Sequence, residues 1–288
     1  MNILDLLGLG ADFMSFEERL ALAEKGDEAA LEYVARAYLV GQEYDEECDC
    51  DYEKAAYWAL KFAETGNSIG QYNMGIYYMK GCGVERDFRK AAEWYNKAAD
   101  NGDPDSSELA QVCLEYAETM DKAIAGDAHA QADIAKNIYI MKDSLNEFGS
   151  EKDCEDAIYW AERAIENGDN SAVIILMWAK NHNFNLSLPF EKVVEACRDM
   201  AENGDPESLR LLGCELLSGD SNEQKEGFKL IEKSAELGDD LAYRSLGVCY
   251  ERGIGVKRNT KKAVEYYREY CLYHDDMEIW DKINSMSR

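Results

Sequence analysis

The sequence predicts an all-α fold built from stacked antiparallel helix pairs. Apolar residues recur at three- and four-residue spacing, which is the period of one helix face. The 288 residues include only three prolines, the residue that breaks a helix from inside. A Gly-Asp or Gly-Asn pair also recurs at intervals of 24 to 42 residues. Its glycines, called marker glycines below, are Gly26, Gly66, Gly102, Gly126, Gly168, Gly204 and Gly238.

Each marker predicts a boundary between two helices. Glycine adopts the left-handed conformation that closes one helix. The next residue is Asp in six markers and Asn in the seventh, and both side chains cap a following helix by accepting hydrogen bonds from its free N–H groups. The spacing therefore predicts repeated units of about 36 residues, each holding two helices.

A longer pattern recurs in two of these units. The stretches "MGIYYMKGCGVERDFRKAAEWY" from Met74 and "LGVCYERGIGVKRNTKKAVEYY" from Leu246 share a G-x-G-V loop and a K-A-x-x-W/Y helix. Because glycine inside a helix lowers helix propensity, a small residue there indicates close approach by the second helix of the pair. Small residues stand nine positions after five markers, at Ala35, Gly75, Ala135, Gly213 and Gly247.

This pattern resembles the Sel1-like repeat, a relative of the tetratricopeptide repeat. The resemblance is strongest over Asn67–Asn101 and Asp239–Cys271 and partial in the other units. It implies a right-handed α-solenoid. It also implies a non-enzymatic role in protein–protein interaction, as an adaptor, scaffold or regulator.

The repeats are predicted to occupy residues 27–271 as about six helix pairs and one degenerate unit. That unit, residues 103–125, is too short for a full pair and predicts either one long helix or a tight hairpin. Residues 1–26 are interpreted as an incomplete leading repeat and residues 272–288 as a capping helix and tail. The oligomeric state is left open.

The composition limits the kinds of partner that the protein is expected to bind. The net charge of −27 disfavours nucleic acid and anionic membranes, because phosphate binding needs clusters of Lys and Arg. The longest apolar runs are far shorter than the roughly 20 residues of a membrane span. Nine irregularly spaced cysteines and no basic leader favour a cytoplasmic protein with reduced thiols.

No motif indicates catalysis, a cofactor or a metal. The three histidines, His129, His182 and His274, lie in different units without metal-ligand spacing. Cys48 and Cys50 lie among carboxylates and could bind a metal, but an acidic loop in solvent is the favoured interpretation. Most of the 18 tyrosines fall at repeat positions and are interpreted as core. A hydrolase is therefore the least favoured class.

The predicted binding surface is the concave face formed by the first helices. By analogy with tetratricopeptide repeats, positions six and ten after each marker glycine face inward. Arg and aromatic residues are common anchors of interfaces. The predicted groove residues are Arg36, Tyr72, Ile76, Lys136, Ile174, Trp178, Arg210 and Arg244. They would accept another protein or a peptide.

The alternative is an acidic inhibitor or immunity-type protein that blocks a basic partner, such as a nucleic-acid-binding enzyme. Such binding would depend strongly on salt. It would use an acidic loop after the first predicted helix of the repeats. The acidic loop comprises Glu43, Asp45, Glu46, Glu47, Asp49 and Asp51.

Overall fold

A computed structural model describes residues 14–45, 48–144 and 151–286. These residues form fifteen α-helices and one short 3-10 helix, Gly41–Glu43, without a β-strand among them. The α-helices are α1 (Phe16–Ala23), α2 (Glu28–Val40), α3 (Tyr52–Glu64), α4 (Ser68–Lys80), α5 (Phe88–Asp100), α6 (Ser106–Ile124), α7 (Ala128–Ser144), α8 (Glu151–Glu166), α9 (Val173–Asn181), α10 (Phe190–Glu202), α11 (Pro206–Leu216), α12 (Ser221–Glu236), α13 (Leu241–Arg252), α14 (Thr260–Cys271) and α15 (Met277–Met286). The all-α prediction is confirmed.

The chain divides into two compact units, residues 1–119 and 120–288, here called unit 1 and unit 2. In unit 1, α2 packs on α3 and α4 packs on α5. In unit 2, the pairs are α7 with α8, α9 with α10, α11 with α12, and α13 with α14, and α15 packs on α14. Each unit therefore consists mainly of helix pairs.

The degenerate unit is one long helix rather than a hairpin. Helix α6 has 19 residues, and neither glycine nor proline occurs within it. Nothing in its local sequence therefore ends the helix. The boundary between the two units falls inside α6, after Thr119.

The marker pairs end and begin helices as predicted. All seven marker glycines have positive φ angles, between 86° and 105°. Six of the following Asp or Asn side chains accept a backbone N–H two or three residues further on. The seventh, Asp103, instead accepts from the hydroxyl of Ser106 at 2.6 Å.

The small residues nine positions after the markers have the predicted packing role. A Cβ built on Gly75 would lie 2.6 Å from the ring of Tyr95 in the paired helix α5. A Cβ on Gly213 would lie 2.6 Å from a side-chain carbon of Ile231 in α12. Glycine at these positions therefore lets the two helices of a pair approach more closely than alanine would permit.

The K-A-x-x-W/Y sequence has a structural role that sequence reasoning did not anticipate. Its alanine is fully buried, and its lysine places the ammonium group over a tyrosine of the first helix, an arrangement that favours a cation–π contact. The distances from Nζ to ring centroid are 5.2 Å for Lys54 and Tyr38, 5.4 Å for Lys90 and Tyr78, and 4.9 Å for Lys262 and Tyr250. The lysine therefore helps hold the pair together.

Candidate interaction surfaces

Two predicted groove residues of unit 1 line one cleft. Arg36 on α2 and Ile76 on α4 border a cavity of about 330 Å³, together with Glu32. The charged side chains at its rim are exposed, and apolar side chains form its floor. The floor residues are Ala35, Ala59, Phe62 and Tyr77.

A third predicted groove residue lines a second cleft of unit 1. Tyr72 on α4, together with α6 residues, borders a cavity of about 630 Å³. Two apolar side chains at this cleft, Ile69 and Val112, are each 55% exposed. Its carboxylates are Asp103, Asp105 and Glu108. Since Tyr72 and Ile76 are one turn apart on α4, this helix borders both clefts.

The groove residues of α7 and α9 in unit 2 have partners within the protein. Lys136 donates from Nζ to the hydroxyl of Ser171 at 2.7 Å. Trp178 stacks on His182 with ring centroids 4.4 Å apart, and its ring meets that of Tyr139 edge-on at 5.5 Å. Ile174 is half-buried on the same helix. These side chains form a polar and aromatic surface, whose role in binding stays a prediction.

Arg210 and Arg244 occupy different environments. Arg210 is 12% exposed, and its Nε donates to Asp239 Oδ2 at 2.7 Å. It also pairs with Glu207 at 3.2 Å. Arg244 is exposed. The structure thus gives Arg210 an internal ion pair with the capping aspartate of the next repeat, which sequence reasoning missed, and a binding role for either arginine stays a prediction.

Part of the acidic loop is engaged in local structure. Asp45 accepts from the hydroxyl of Tyr33 at 2.7 Å, and Asp49 accepts from Gln42 at 2.9 Å. Asp51 caps α3 by accepting the N–H of Lys54 at 3.0 Å. Glu46 and Glu47, and the side chain of Glu43, lie outside the described residues. A role of this loop as an acidic inhibitor surface stays a prediction. The described carboxylates, those of Asp45, Asp49 and Asp51, accept hydrogen bonds within the protein.

The structure also bears on metal binding and on membrane insertion. In the stretches that the structure describes, no group of three or more His, Cys, Asp or Glu side chains is arranged to hold a metal ion. No helix of those stretches is long and apolar enough to cross a bilayer. Cys48 is buried, and burial raises the pKa of its thiol.

His129 is the centre of a small charged cluster in unit 2. Its Nδ1 lies 3.0 Å from Asp169 Oδ2, and its Nε2 lies 3.6 Å from Asp133 Oδ2. The hydrogen bond to Asp169, aided by the charge of Asp133, raises the pKa of His129. Burial by itself would raise the pKa of the Asp169 carboxyl. Hydrogen bonds from Ser171 and His129 outweigh burial and lower that pKa.

We expect Asp169→Asn to lower the pKa of His129, measured by NMR titration of its ring protons. The folded-state pKa of His129 is raised, so its contribution to stability is present below the ordinary histidine pKa. That contribution is lost as the pH rises through the raised value. His182, which has no carboxylate partner among the described side chains, is the internal reference. An unchanged His129 pKa in the variant would contradict this assignment.

A further surface of unit 2 was not predicted. Four tyrosine rings, called the tyrosine ladder, follow one another in the order Tyr250, Tyr266, Tyr243 and Tyr273. Tyr250 and Tyr243 lie on α13, Tyr266 lies on α14, and Tyr273 lies in the turn that follows α14. Successive centroids are 5.6, 6.4 and 6.5 Å apart, and neighbouring planes differ by 9°, 23° and 11°. Most tyrosines are predicted from the sequence to lie in the core, whereas Tyr273 is 62% exposed. The seven-residue spacing from Tyr243 to Tyr250 and from Tyr266 to Tyr273 was the sequence signal that could have indicated a shared face.

The helix pairs and their surfaces define a helical-repeat protein. Residues 28–67, 68–103, 128–169, 206–239 and 240–269 match the model of the Sel1 repeat. These ranges cover more than half of the chain, and the chain belongs to the Sel1 repeat family. The resemblance noted from the sequence is thereby confirmed. Helices α6, α9 and α10 lie between the matched ranges.

Known relatives share parts of this chain. It is 29% identical over 152 residues to the Sel1-repeat-containing protein YjcO of Escherichia coli strain K12, covering 51% of this chain and 62% of that protein. It is 37% identical over 81 residues to the chitin synthase regulator SKT5 of Saccharomyces cerevisiae, covering 28% and 11%. The chain thus spans less than two thirds of either relative.

The chain is also similar to solved structures, among them c5321, a protective antigen present in uropathogenic Escherichia coli strains that displays an SLR fold. The similarity covers 94% of this chain and 67% of that one. The TM-score is 0.47 and the sequence identity is 20%.

Proposed function

We propose that this protein is a non-enzymatic interaction module that binds a partner protein or peptide through the first helices of its repeats. The family and a relative named as a regulator support protein interaction in general. The observation that carries the finer proposal is the pair of clefts bordered by α4, where residues predicted from repeat spacing line real cavities.

The clefts combine features that favour recognition of a protein. Ile69 and Val112 leave apolar surface in water, and its burial by a partner would be favourable. Arg36 and Glu32 at the rim of the first cleft can fix the orientation of the partner by charge complementarity. An amphipathic helix, with apolar side chains in both clefts, fits this arrangement.

We expect Ile69→Asp to remove binding of groove partners while the protein stays folded. Position 69 lies in the first turn of α4, where an acidic side chain is compatible with the helix dipole. The loss should be at least about tenfold in affinity, equal to about 1.4 kcal/mol. The measurement is quantitative capture of partners from lysate of the native host, with circular dichroism as the folding check.

Leu241→Asp is the matched control. It places the same acidic side chain in the first turn of α13, in unit 2. Proteins retained by this control and lost by Ile69→Asp would be groove partners, and Arg36→Glu should weaken the same proteins. If Ile69→Asp retains every partner of the wild type, the proposal is wrong.

A further inference from the structure

We propose that the exposed face of α15 in unit 2 binds an amphipathic helix that carries Lys or Arg beside its apolar face. The partner helix would take the place that the second helix of the pair has in the other repeats. This site uses residues other than those of the unit 1 clefts and does not depend on the function proposed for them.

Helix α15 has the register of the first helix of a repeat. The side chain of Asp276 accepts the backbone N–H of Ile279 at 3.1 Å, and Asp127 caps α7 in the same way at 2.8 Å. Three and seven positions after Asp276, Ile279 and Ile283 are buried, as are the residues at the same distances from Asp127. This buried side of α15 packs on α14, the second helix of the preceding pair.

The side of α15 that a second helix would cover is exposed. In the other repeats, the residue eight positions after the cap lies against the second helix, as Gly75 lies against the ring of Tyr95. The residue four positions after the cap is buried in α2, α4, α7 and α11. In α15 these two positions hold Asn284, which is exposed, and Trp280, which is 40% exposed. Within the described residues, no second helix therefore covers this side of α15.

The exposed side carries an apolar stripe. Met277, Trp280 and Asn284 stand at i, i+3 and i+7, a spacing that places them on one side of the helix, and Met277 is 69% exposed. Trp is a common anchor of interfaces, Met adapts to the shape of a partner, and burial of both would be favourable. Because Asn284 has a side chain where α4 has glycine, the partner residue that faces it must be small, such as alanine.

Carboxylates beside the stripe indicate a basic partner. Glu278 and Asp281 are exposed, and neither forms an ion pair at salt-bridge distance within the described part of the chain. The lysine of α15, Lys282, is already paired with Glu251 of α13 at 2.8 Å. Lys or Arg of the partner would supply the positive charge. A second copy of this chain would instead bring the same carboxylates to the interface, and like charges oppose such pairing.

The first test uses the full chain and a fluorescently labelled helical peptide. The apolar face of the peptide carries leucines and one central alanine, and its other face carries lysines. Fluorescence polarisation should show saturable binding that Trp280→Ala weakens by about tenfold. Tyr159→Ala is the matched control because Tyr159 is a half-exposed aromatic residue of another helix of unit 2, α8. This variant should bind like the wild type, and circular dichroism checks that both variants are folded.

A second pair of variants separates local charge from net charge. The double variant Glu278→Gln/Asp281→Asn should weaken binding by about tenfold. Its control is Glu191→Gln/Glu195→Gln, which removes two exposed carboxylates from α10 of the same unit and should leave the affinity unchanged. Equal losses in the two double variants would show attraction by net charge alone and would overturn the proposal.

Two further peptides test the shape and charge of the ligand. A central proline, which breaks the helix, should remove binding, and so should replacement of the lysines with glutamate. Equal binding of the proline peptide would overturn the proposal, as would unchanged affinity of Trp280→Ala or no saturable binding. A dimer of the wild type that Trp280→Ala dissociates in sedimentation velocity would assign this face to a second copy and would also overturn it. Ile69→Asp should leave the peptide affinity unchanged, so failure of the unit 1 proposal is distinguished from failure here.

Discussion

Replacing Gly83 with alanine is expected to destabilise unit 1 by about 3 kcal/mol. Gly83 is the second glycine of the G-x-G-V loop and has a φ of 66°. A Cβ at this position would overlap the carbonyl oxygen of Tyr52, at the start of α3 in the preceding helix pair. Left-handed backbone costs alanine about 1 kcal/mol. The remaining destabilisation arises because the added Cβ would clash with the backbone of Tyr52, which cannot rotate away as a flexible side chain could.

Urea denaturation followed by circular dichroism measures this loss. Gly66→Ala is the matched control, since Gly66 has a φ of 89° and a Cβ added there would have no described atom within 4 Å. It should lose only about 1 kcal/mol. Gly255→Ala should behave like Gly83→Ala, because its Cβ would overlap the carbonyl oxygen of Gln224. Equal losses for Gly83→Ala and Gly66→Ala would show that contact between repeats is unimportant.

Arg210→Met is expected to destabilise unit 2 by about 3 kcal/mol. The side chains of Arg210 and Asp239 are only 12% and 8% exposed, and their closest atoms are 2.7 Å apart. Removing the guanidinium leaves the Asp239 carboxylate buried without its cation. That carboxylate also accepts from the backbone N–H of Leu241 at 3.1 Å, so it keeps part of its hydrogen bonding but none of its charge compensation.

Arg244→Met is the control because Arg244 occupies the same position in the next repeat of unit 2 and is exposed. Its free energy of unfolding should change by no more than about 0.5 kcal/mol. The measurement is again chemical denaturation, at constant pH and salt. If the two variants lose equal stability, the ion pair of Arg210 is not a structural element. If they differ as expected, a charge reversal at Arg210 would also destabilise unit 2. A loss of binding in that variant would then not by itself assign Arg210 to the groove.

Much of the fold could be predicted from the sequence because its signals are local. A marker glycine and the Asp or Asn after it act on backbone groups within a few residues, so their pattern predicts where helices end and begin. Gly75 and Gly213 were predictable for a related reason: a small residue that recurs at one repeat position needs a packing partner. The outcome for α6 was less certain, since a short spacing is compatible with one helix or two.

The candidate site was harder to predict because groove positions were assigned by analogy rather than by contact. Spacing placed Arg36, Tyr72 and Ile76 on the first helices, and the structure shows that they line clefts. The same spacing could not show that Arg210 faces a carboxylate 29 residues away. It also could not show which tyrosines remain partly in water.

The sequence by itself determined the all-α repeat architecture, the helix boundaries at the markers and membership of a repeat family. These depend on backbone conformation and on packing within a helix pair, which each repeat encodes again. Only the tertiary structure decided the internal pairing of Arg210, the two clefts bordered by α4 and the tyrosine ladder. Each of these depends on side chains from different helices meeting in space, and their separation along the chain carries no local signal of that meeting.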